Sequence, residues 1–93
     1  MNQAEIEKLL IESVCAIQQL SGRETVPVSP NTCPVSDMPG FDSLNGVEAT
    51  VDALDRLHLD LDFNNVFVDN ETALTIEQAA IRLTKCMQER HAK

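Results

Sequence analysis

The stretch Gly40-Phe41-Asp42-Ser43-Leu44 joins a proline-rich segment to an amphipathic helix, and the rest of the chain is interpreted from it. All four prolines precede it, so the segment before it has no helical period. A serine at a loop-to-helix junction carries an exposed hydroxyl on a fixed backbone, and the positive end of the helix dipole favours an anionic group there. Both features would help to hold a phosphodiester on Ser43, and an ordinary N-cap serine is the alternative at such a junction.

Three amphipathic helices are predicted from the spacing of apolar residues. The first runs from about residue 3 to 20, and Gly22 is expected to provide a left-handed C-cap. The second runs from about residue 43 to 59, with Asp42 or Ser43 as its N-cap. The last starts after Thr75, where a capping box is predicted. The expected buried stripes are Ile6, Leu9, Leu10, Ile17 and Leu20, with Val14 at their edge; Leu44, Val47, Val51 and Leu54; and Ile76, Ala80, Leu83 and Met87.

The connections between these helices are less regular. Residues 23–42 are predicted to be a long loop, held to the core by Val26, Val28 and Val35. Leu59, Leu61 and Phe63 alternate with acids, and Val66, Phe67 and Val68 follow Asn64-Asn65, so the period alone could indicate two short strands with an Asn-Asn turn. A lone two-stranded hairpin is marginal without a larger sheet. We favour a loop followed by a short helical turn near residues 69–73. Residues 1–93 are thus expected to form one all-α domain, a small four-helix bundle with three main helices and one short one.

The amino-acid composition limits the classes of function that the chain can have. The chain has 93 residues, 43% of them hydrophobic, and few aromatic residues, so a small aliphatic core is expected. Fifteen Asp and Glu against seven Lys and Arg give a net charge of −8. Such a surface repels nucleic acid and anionic membranes and attracts basic patches of other proteins, although surplus acid also simply keeps a small protein soluble.

The cysteines indicate neither a disulfide framework nor a metal site. Cys15, Cys33 and Cys86 are odd in number, and none is paired with another ligand at the spacing typical of structural zinc. The N-terminus lacks the pattern of a signal peptide, and no apolar run approaches the length of a membrane span. We expect a cytoplasmic, monomeric protein without a metal.

The residues around Ser43 resemble a known family. Gly40-Phe41-Asp42-Ser43-Leu44 followed by Val47-Glu48 is similar to the acyl carrier protein signature around the serine that takes 4′-phosphopantetheine. The order of helices, the long first loop and the segment Leu74–Ile81 also look like that family. Asn45 and Gly46 depart from it, since the family commonly has an acid and a better helix former there, which is compatible with a divergent or specialised member.

The resemblance implies a role for each residue near the junction. Ser43 would receive 4′-phosphopantetheine covalently from coenzyme A, Asp42 would cap the helix or help to place the Mg²⁺ of a transferase, and Leu44 would contact that enzyme. The partner-binding residues would be Val47 and the acidic residues Glu48, Asp52 and Asp55. The partners would be a phosphopantetheinyl transferase and acyl-transferring or condensing enzymes with basic patches, in fatty-acid, polyketide or related biosynthesis.

These residues lead to three hypotheses about function. The first is a discrete carrier that holds acyl groups as thioesters and has no catalytic activity of its own. The second is an unmodified helical module that binds a protein partner through its acidic face and does not need Ser43. The third is an aminoacyl or peptidyl carrier, which shares the mechanism of the first and differs in cargo.

Overall fold

Four helices and a small hairpin make up the part of the chain that the computed structural model describes, residues 2–24, 26–60 and 64–91. The helices are α1 (Gln3–Leu20), α2 (Pro34–Asp37), α3 (Ser43–Arg56) and α4 (Ile76–His91), and the strands are β1 (Val68–Asp69) and β2 (Thr72–Ala73). α1 lies at the centre of the bundle, where it packs against both α3 and α4. The predicted four-helix bundle with a long loop between its first two main helices is confirmed.

Both ends of α1 are formed as predicted. At its start, Asn2 accepts a hydrogen bond from the Glu5 backbone N–H at 2.9 Å and donates its own N–H to the Glu5 carboxylate at 3.3 Å. At its end, Gly22 has a φ of +69°. The N–H groups of Gly22 and Arg23 then donate to carbonyls of the last helical turn, which completes a Schellman motif.

The core is mainly aliphatic and draws on α1, α3, α4 and the segments that connect the helices. Its buried apolar residues are Ile6, Leu10, Val14, Ile17, Met38, Phe41, Ala49, Ala53, Leu54, Val66, Phe67, Ile76, Ala79, Ala80 and Leu83. Val14 is fully buried, whereas Leu20, predicted on the α1 stripe, is 84% exposed. The prediction for Leu20 was wrong because α1 ends there and the Schellman motif turns the chain away.

The long loop contains α2, which the sequence did not predict. Pro34 occupies the first helical turn, where its missing N–H costs nothing. The side chain of Asp37 accepts a hydrogen bond from the Cys33 N–H at 2.8 Å and so satisfies one end of the turn. Four residues are too few to produce a readable helical period. As predicted, Val26, Val28 and Val35 pack against the core.

A hairpin stands where a short helical turn was expected near residues 69–73. β1 and β2 are antiparallel, with Val68 opposite Ala73. Asn70 and Glu71 join them with φ values of 50° and 68°, as a type I′ turn requires. The helical prediction was wrong because this hairpin does not stand alone: Arg82 donates to the carbonyl of Val68 at 2.9 Å. The alternating residues Leu61 and Phe63 lie outside the described residues.

α3 buries a different face from the one predicted. Leu44 and Val51 are 67% and 61% exposed, and Val47 is partly exposed, so of that predicted stripe only Leu54 is buried. The residues that face the core are Asn45, Gly46, Ala49, Thr50, Ala53 and Leu54. Their mostly small side chains allow α3 to approach its neighbours closely, and the polar ones form hydrogen bonds within the protein.

The ends of the other two main helices are also defined. α3 stops at Arg56, three residues earlier than predicted, because His58 takes a left-handed conformation with a φ of 54°. α4 begins with the predicted capping box: the Gln78 N–H donates to the Thr75 hydroxyl at 3.1 Å, and the Thr75 N–H donates to the Gln78 side chain at 3.0 Å. The long loop supplies further acceptors, since the Ile76 N–H donates to the carbonyl of Thr32.

Ser13 offers a test of the packing of α1. Its hydroxyl is fully buried and has no hydrogen-bond partner among the described residues. Burial of an unpaired hydroxyl costs about 1–3 kcal/mol, and alanine also has the higher helix propensity. We expect Ser13→Ala to raise the free energy of unfolding by about 1 kcal/mol, measured by urea denaturation. The exposed Ser36→Ala is the control and should have little effect; a destabilised Ser13→Ala would contradict the assignment.

Candidate functional site

The candidate site is the first turn of α3, residues 42–46, which we call the Ser43 turn. Asp42 is the N-cap, and its carboxylate accepts a hydrogen bond from the Asn45 N–H at 3.1 Å. In return, the Asn45 side chain accepts from the Asp42 N–H at 3.2 Å, which completes a capping box. Ser43 is the first helical residue and is exposed. Its hydroxyl is thus accessible on a backbone that hydrogen bonds hold in place.

The residues that precede the Ser43 turn are also held in place. Phe41 is buried in the core, and its N–H donates to the Met38 carbonyl at 3.2 Å. Gly40 has a φ of +70°, and a Cβ atom there would lie 2.8 Å from Cδ and Nε of Arg23. Glycine is therefore required at position 40 both for the backbone conformation and for the close approach of the arginine.

Arg23 crosses from the end of α1 to the Ser43 turn. Its Nη1 donates to Oδ1 of Asn45 at 2.7 Å, and Nδ2 of Asn45 donates to the Glu48 carboxylate at 3.0 Å. Asn45 is only 5% exposed, and this network satisfies both ends of its amide. The residue that departs from the acyl carrier pattern thus has a structural role here, because it links α1 to the start of α3.

Asn65 holds the Ser43 turn from the other side. Its Nδ2 donates to the carbonyl oxygen of Ser43 at 2.9 Å, and its Oδ1 accepts from the Phe67 N–H at 3.0 Å. A Cβ atom at position 46 would lie 2.7 Å from both Nδ2 and Oδ1 of Asn65. This contact explains Gly46, the second departure from the family pattern: the glycine makes room for the Asn65 amide.

Two further side chains hold the loop that carries Asn65. The Thr50 hydroxyl donates to the Gly46 carbonyl at 2.7 Å and accepts from the Val66 N–H at 3.0 Å. From α4, Nη1 of Arg82 donates to the Asn65 carbonyl at 3.1 Å. The start of α3 is therefore connected through this loop to α4.

The predicted partner-binding residues form an exposed surface on α3. Its apolar part consists of Leu44 and Val47 together with Val51, which was predicted to be buried and is exposed; we call these three residues the apolar ridge. Of the predicted acids, Glu48 accepts from Asn45.

The other two predicted acids differ from each other. Asp52 pairs with Arg56 at 2.7 Å, and the same guanidinium lies 3.6 Å from the Glu12 carboxylate, so the Asp52 carboxylate is already engaged within the protein. Asp55 is exposed, and its side chain has no hydrogen bond or ion pair in the part of the chain that the structure describes. Asp55 is therefore the predicted acid best able to attract a basic partner.

In the described part of the chain, the arrangement of the side chains does not support a nucleophilic or metal-binding role for the cysteines. The three cysteines are free, and burial raises the pKa of the Cys15 thiol, so less of it is thiolate at neutral pH. Among the described residues, no three His, Cys, Asp or Glu side chains converge into a group that could hold a metal ion. An open surface groove lies along α1 beside Glu5, Lys8, Leu9 and Glu12, away from the Ser43 turn.

Comparisons with protein-family models, curated proteins and solved structures found no match for this chain. In the described ranges, every helix is too short or too polar to cross a lipid bilayer. The argument for function therefore depends on the Ser43 turn itself.

Sequence reasoning found some of these residues and missed others. Asp42, Ser43 and Leu44 lie together at the start of α3, as predicted from the sequence. The capping box of Asp42 with Asn45 has a readable three-residue spacing. Arg23 and Asn65 were missed because each reaches the Ser43 turn from 22 positions away, and no local pattern marks such a contact.

The contact between Gly46 and Asn65 can be tested with a double-mutant cycle. In the wild type, Gly46→Ala adds a methyl group that displaces the Asn65 amide. The two hydrogen bonds lost are worth about 1 kcal/mol each, more than the gain of about 1 kcal/mol in helix propensity. We expect Gly46→Ala to destabilise the wild type by about 1 kcal/mol and to stabilise Asn65→Ala by about 1 kcal/mol. Urea denaturation of the four proteins measures both effects, and the same sign in both backgrounds would refute the contact.

Proposed function

We propose that this chain is a discrete acyl carrier protein that takes 4′-phosphopantetheine on Ser43. The observation that carries the proposal is the combination at the Ser43 turn: an exposed serine at the first position of α3, a capping acid before it and an exposed leucine after it. An ordinary capping serine would occupy the N-cap position, which Asp42 holds here. Ser43 is thus not needed to cap the helix.

The modification reaction follows from the chemistry of the serine. Within a transferase that supplies Mg²⁺, the Ser43 Oγ attacks the β-phosphate of coenzyme A. A P–O bond to Ser43 forms, the bond between the two phosphates breaks, adenosine 3′,5′-bisphosphate leaves, and the serine proton passes to a base. The group then supplies a thiol on a flexible arm, which carries acyl groups as thioesters.

The residues of the Ser43 turn suit such a group. The negative phosphodiester would lie at the positive end of the α3 dipole, which favours an anion there. Exposure of Ser43 leaves room for the arm, and the hydrogen bonds of Asp42 and Asn45 keep the turn folded while a partner enzyme holds it. We expect the carrier to be a cytoplasmic monomer without catalytic activity of its own.

Partner enzymes would dock on the apolar ridge and the acids beside it. Leu44 and Val51 are large apolar residues that are exposed, and their burial in a complex would contribute to its affinity. The net charge of −8 would attract basic patches and mainly increase the rate of association. Such contacts are weak and exchangeable, which suits a carrier that must leave each partner.

A second candidate is an unmodified protein-interaction module. The apolar ridge favours it, since an exposed ridge of this kind can bind a partner whether or not Ser43 is modified. An aminoacyl or peptidyl carrier would use Ser43 in the same way as an acyl carrier and would differ only in its cargo.

Intact mass spectrometry tests the modification directly. The wild type is incubated with coenzyme A, Mg²⁺ and a broad-specificity phosphopantetheinyl transferase. We expect the mass to increase by one phosphopantetheine group in the wild type and in Ser36→Ala, and not in Ser43→Ala. A folded wild-type sample that several transferases leave unmodified would favour the interaction module instead.

The acids beside the apolar ridge should contribute unequally to recognition. Asp55→Asn removes a carboxylate that is available to pair with a basic side chain of the partner, whereas the Asp52 carboxylate is already engaged by Arg56. We expect Asp55→Asn to lower the kcat/KM of the transferase roughly threefold at low ionic strength, and Asp52→Asn to lower it less. Both effects should fade in high salt. Equal decreases in kcat/KM for the two variants would show that the ion pair between Asp52 and Arg56 does not affect recognition by the transferase.

A further inference from the structure

We infer that Asn65 is a positioning residue for the reaction at Ser43. This inference rests on the proposed function, because it concerns how the modified serine meets the transferase. Asn65 is far from Ser43 in sequence, yet its side chain is hydrogen-bonded to the Ser43 backbone. The serine side chain itself stays exposed.

The orientation of the Asn65 amide follows from its two partners. A backbone N–H can only donate, so the atom that faces the Phe67 N–H at 3.0 Å must be the amide oxygen. The amide nitrogen then faces the Ser43 carbonyl at 2.9 Å and donates to it. With both ends engaged, the side chain holds the Ser43 carbonyl in one place relative to the loop.

The Asn65 amide lies close against α3 at Gly46. Gly46 is buried, and a Cβ atom at this position would lie 2.7 Å from both amide heavy atoms of Asn65. The glycine lowers the helix propensity of α3 at its first turn. The Asn65 amide therefore contributes to holding this turn in shape, in addition to the capping box of Asp42.

The loop that carries Asn65 is held to α4. Arg82 donates to the carbonyls of Asn65 at 3.1 Å and Val68 at 2.9 Å, and it lies 3.8 Å from the carboxylate of Asp69. The Ser43 backbone is thus connected through Asn65 and this loop to the last helix. Only Asn65 in this series of contacts binds the serine.

Positioning matters for this reaction because the serine oxygen must approach the phosphate of coenzyme A in line with the leaving group. Small displacements of a reacting atom lower rates strongly. Val51, Asp52 and Asp55 lie beyond the first two turns of α3, so docking through them should persist and the KM for the carrier should change little. The effect should appear in kcat.

Asn65→Asp is the sharpest variant. It keeps the size of the side chain and the acceptor for the Phe67 N–H, and it replaces the donor to Ser43 with an oxygen. Asn64→Asp adds the same charge at the exposed neighbouring residue and is the matched control. We expect Asn65→Asp to lower kcat roughly tenfold or more with KM nearly unchanged. Asn64→Asp should stay within about twofold of the wild type.

A second comparison separates positioning from stability. Gly46→Ala in the Asn65→Ala background is expected to raise the melting temperature, since the methyl group then has room. It does not restore the donor to Ser43, so kcat should stay low. Recovery of kcat together with the melting temperature would overturn the inference, because Asn65 would then act only through stability.

Amide hydrogen exchange gives a readout that does not depend on the transferase. We expect exchange in the first two turns of α3 to be roughly tenfold faster in Asn65→Asp than in Asn64→Asp, with α4 unchanged. Unchanged exchange in α3 would overturn the inference.

A wild type that no transferase modifies would overturn the proposed function, while the exchange data would still decide whether Asn65 holds the turn. Wild-type kcat in Asn65→Asp would overturn the inference and leave the proposed function standing.

Discussion

The hydrogen bond from the Asn65 amide to the Ser43 carbonyl is the contact on which the site depends. It fixes the first turn of α3 against the loop before β1, and the close approach of the same amide explains why glycine is favoured at position 46. The Arg23 guanidinium holds the same turn through Asn45. The serine is exposed, while its backbone is held from two directions.

A chain of this size with few aromatic residues has a small core, and buried polar side chains supply additional order. Gln18 donates to the carbonyls of Glu24 and Pro39 and so holds both ends of the long loop near α1. Thr50 links α3 to the following loop. These bonds run from side chain to backbone, which leaves the exposed face of α3 free for other molecules.

Local signals predicted the main helices well. The capping box at Thr75, the glycine after α1 and the prolines of the long loop each act within a few residues, so their effect can be read along the chain. The capping box at Asn2 has the same short range, although it was not predicted. The hairpin was predicted incorrectly because its stability comes from Arg82, a residue of α4. The buried face of α3 was also predicted incorrectly, since hydropathy ranks Leu44 and Val51 above Asn45 and Thr50.

The sequence by itself determined the helical class, the ends of α1 and the start of α3 at the Asp42-Ser43 pair, without deciding which of the two residues is the cap. These features follow from propensities and short-range hydrogen bonds. Only the tertiary structure decided which face of α3 is buried and which residues hold Ser43. The physical reason is that burial of Asn45 or Gly46 is favourable only where a distant partner, Arg23 or Asn65, satisfies the amide or fills the space.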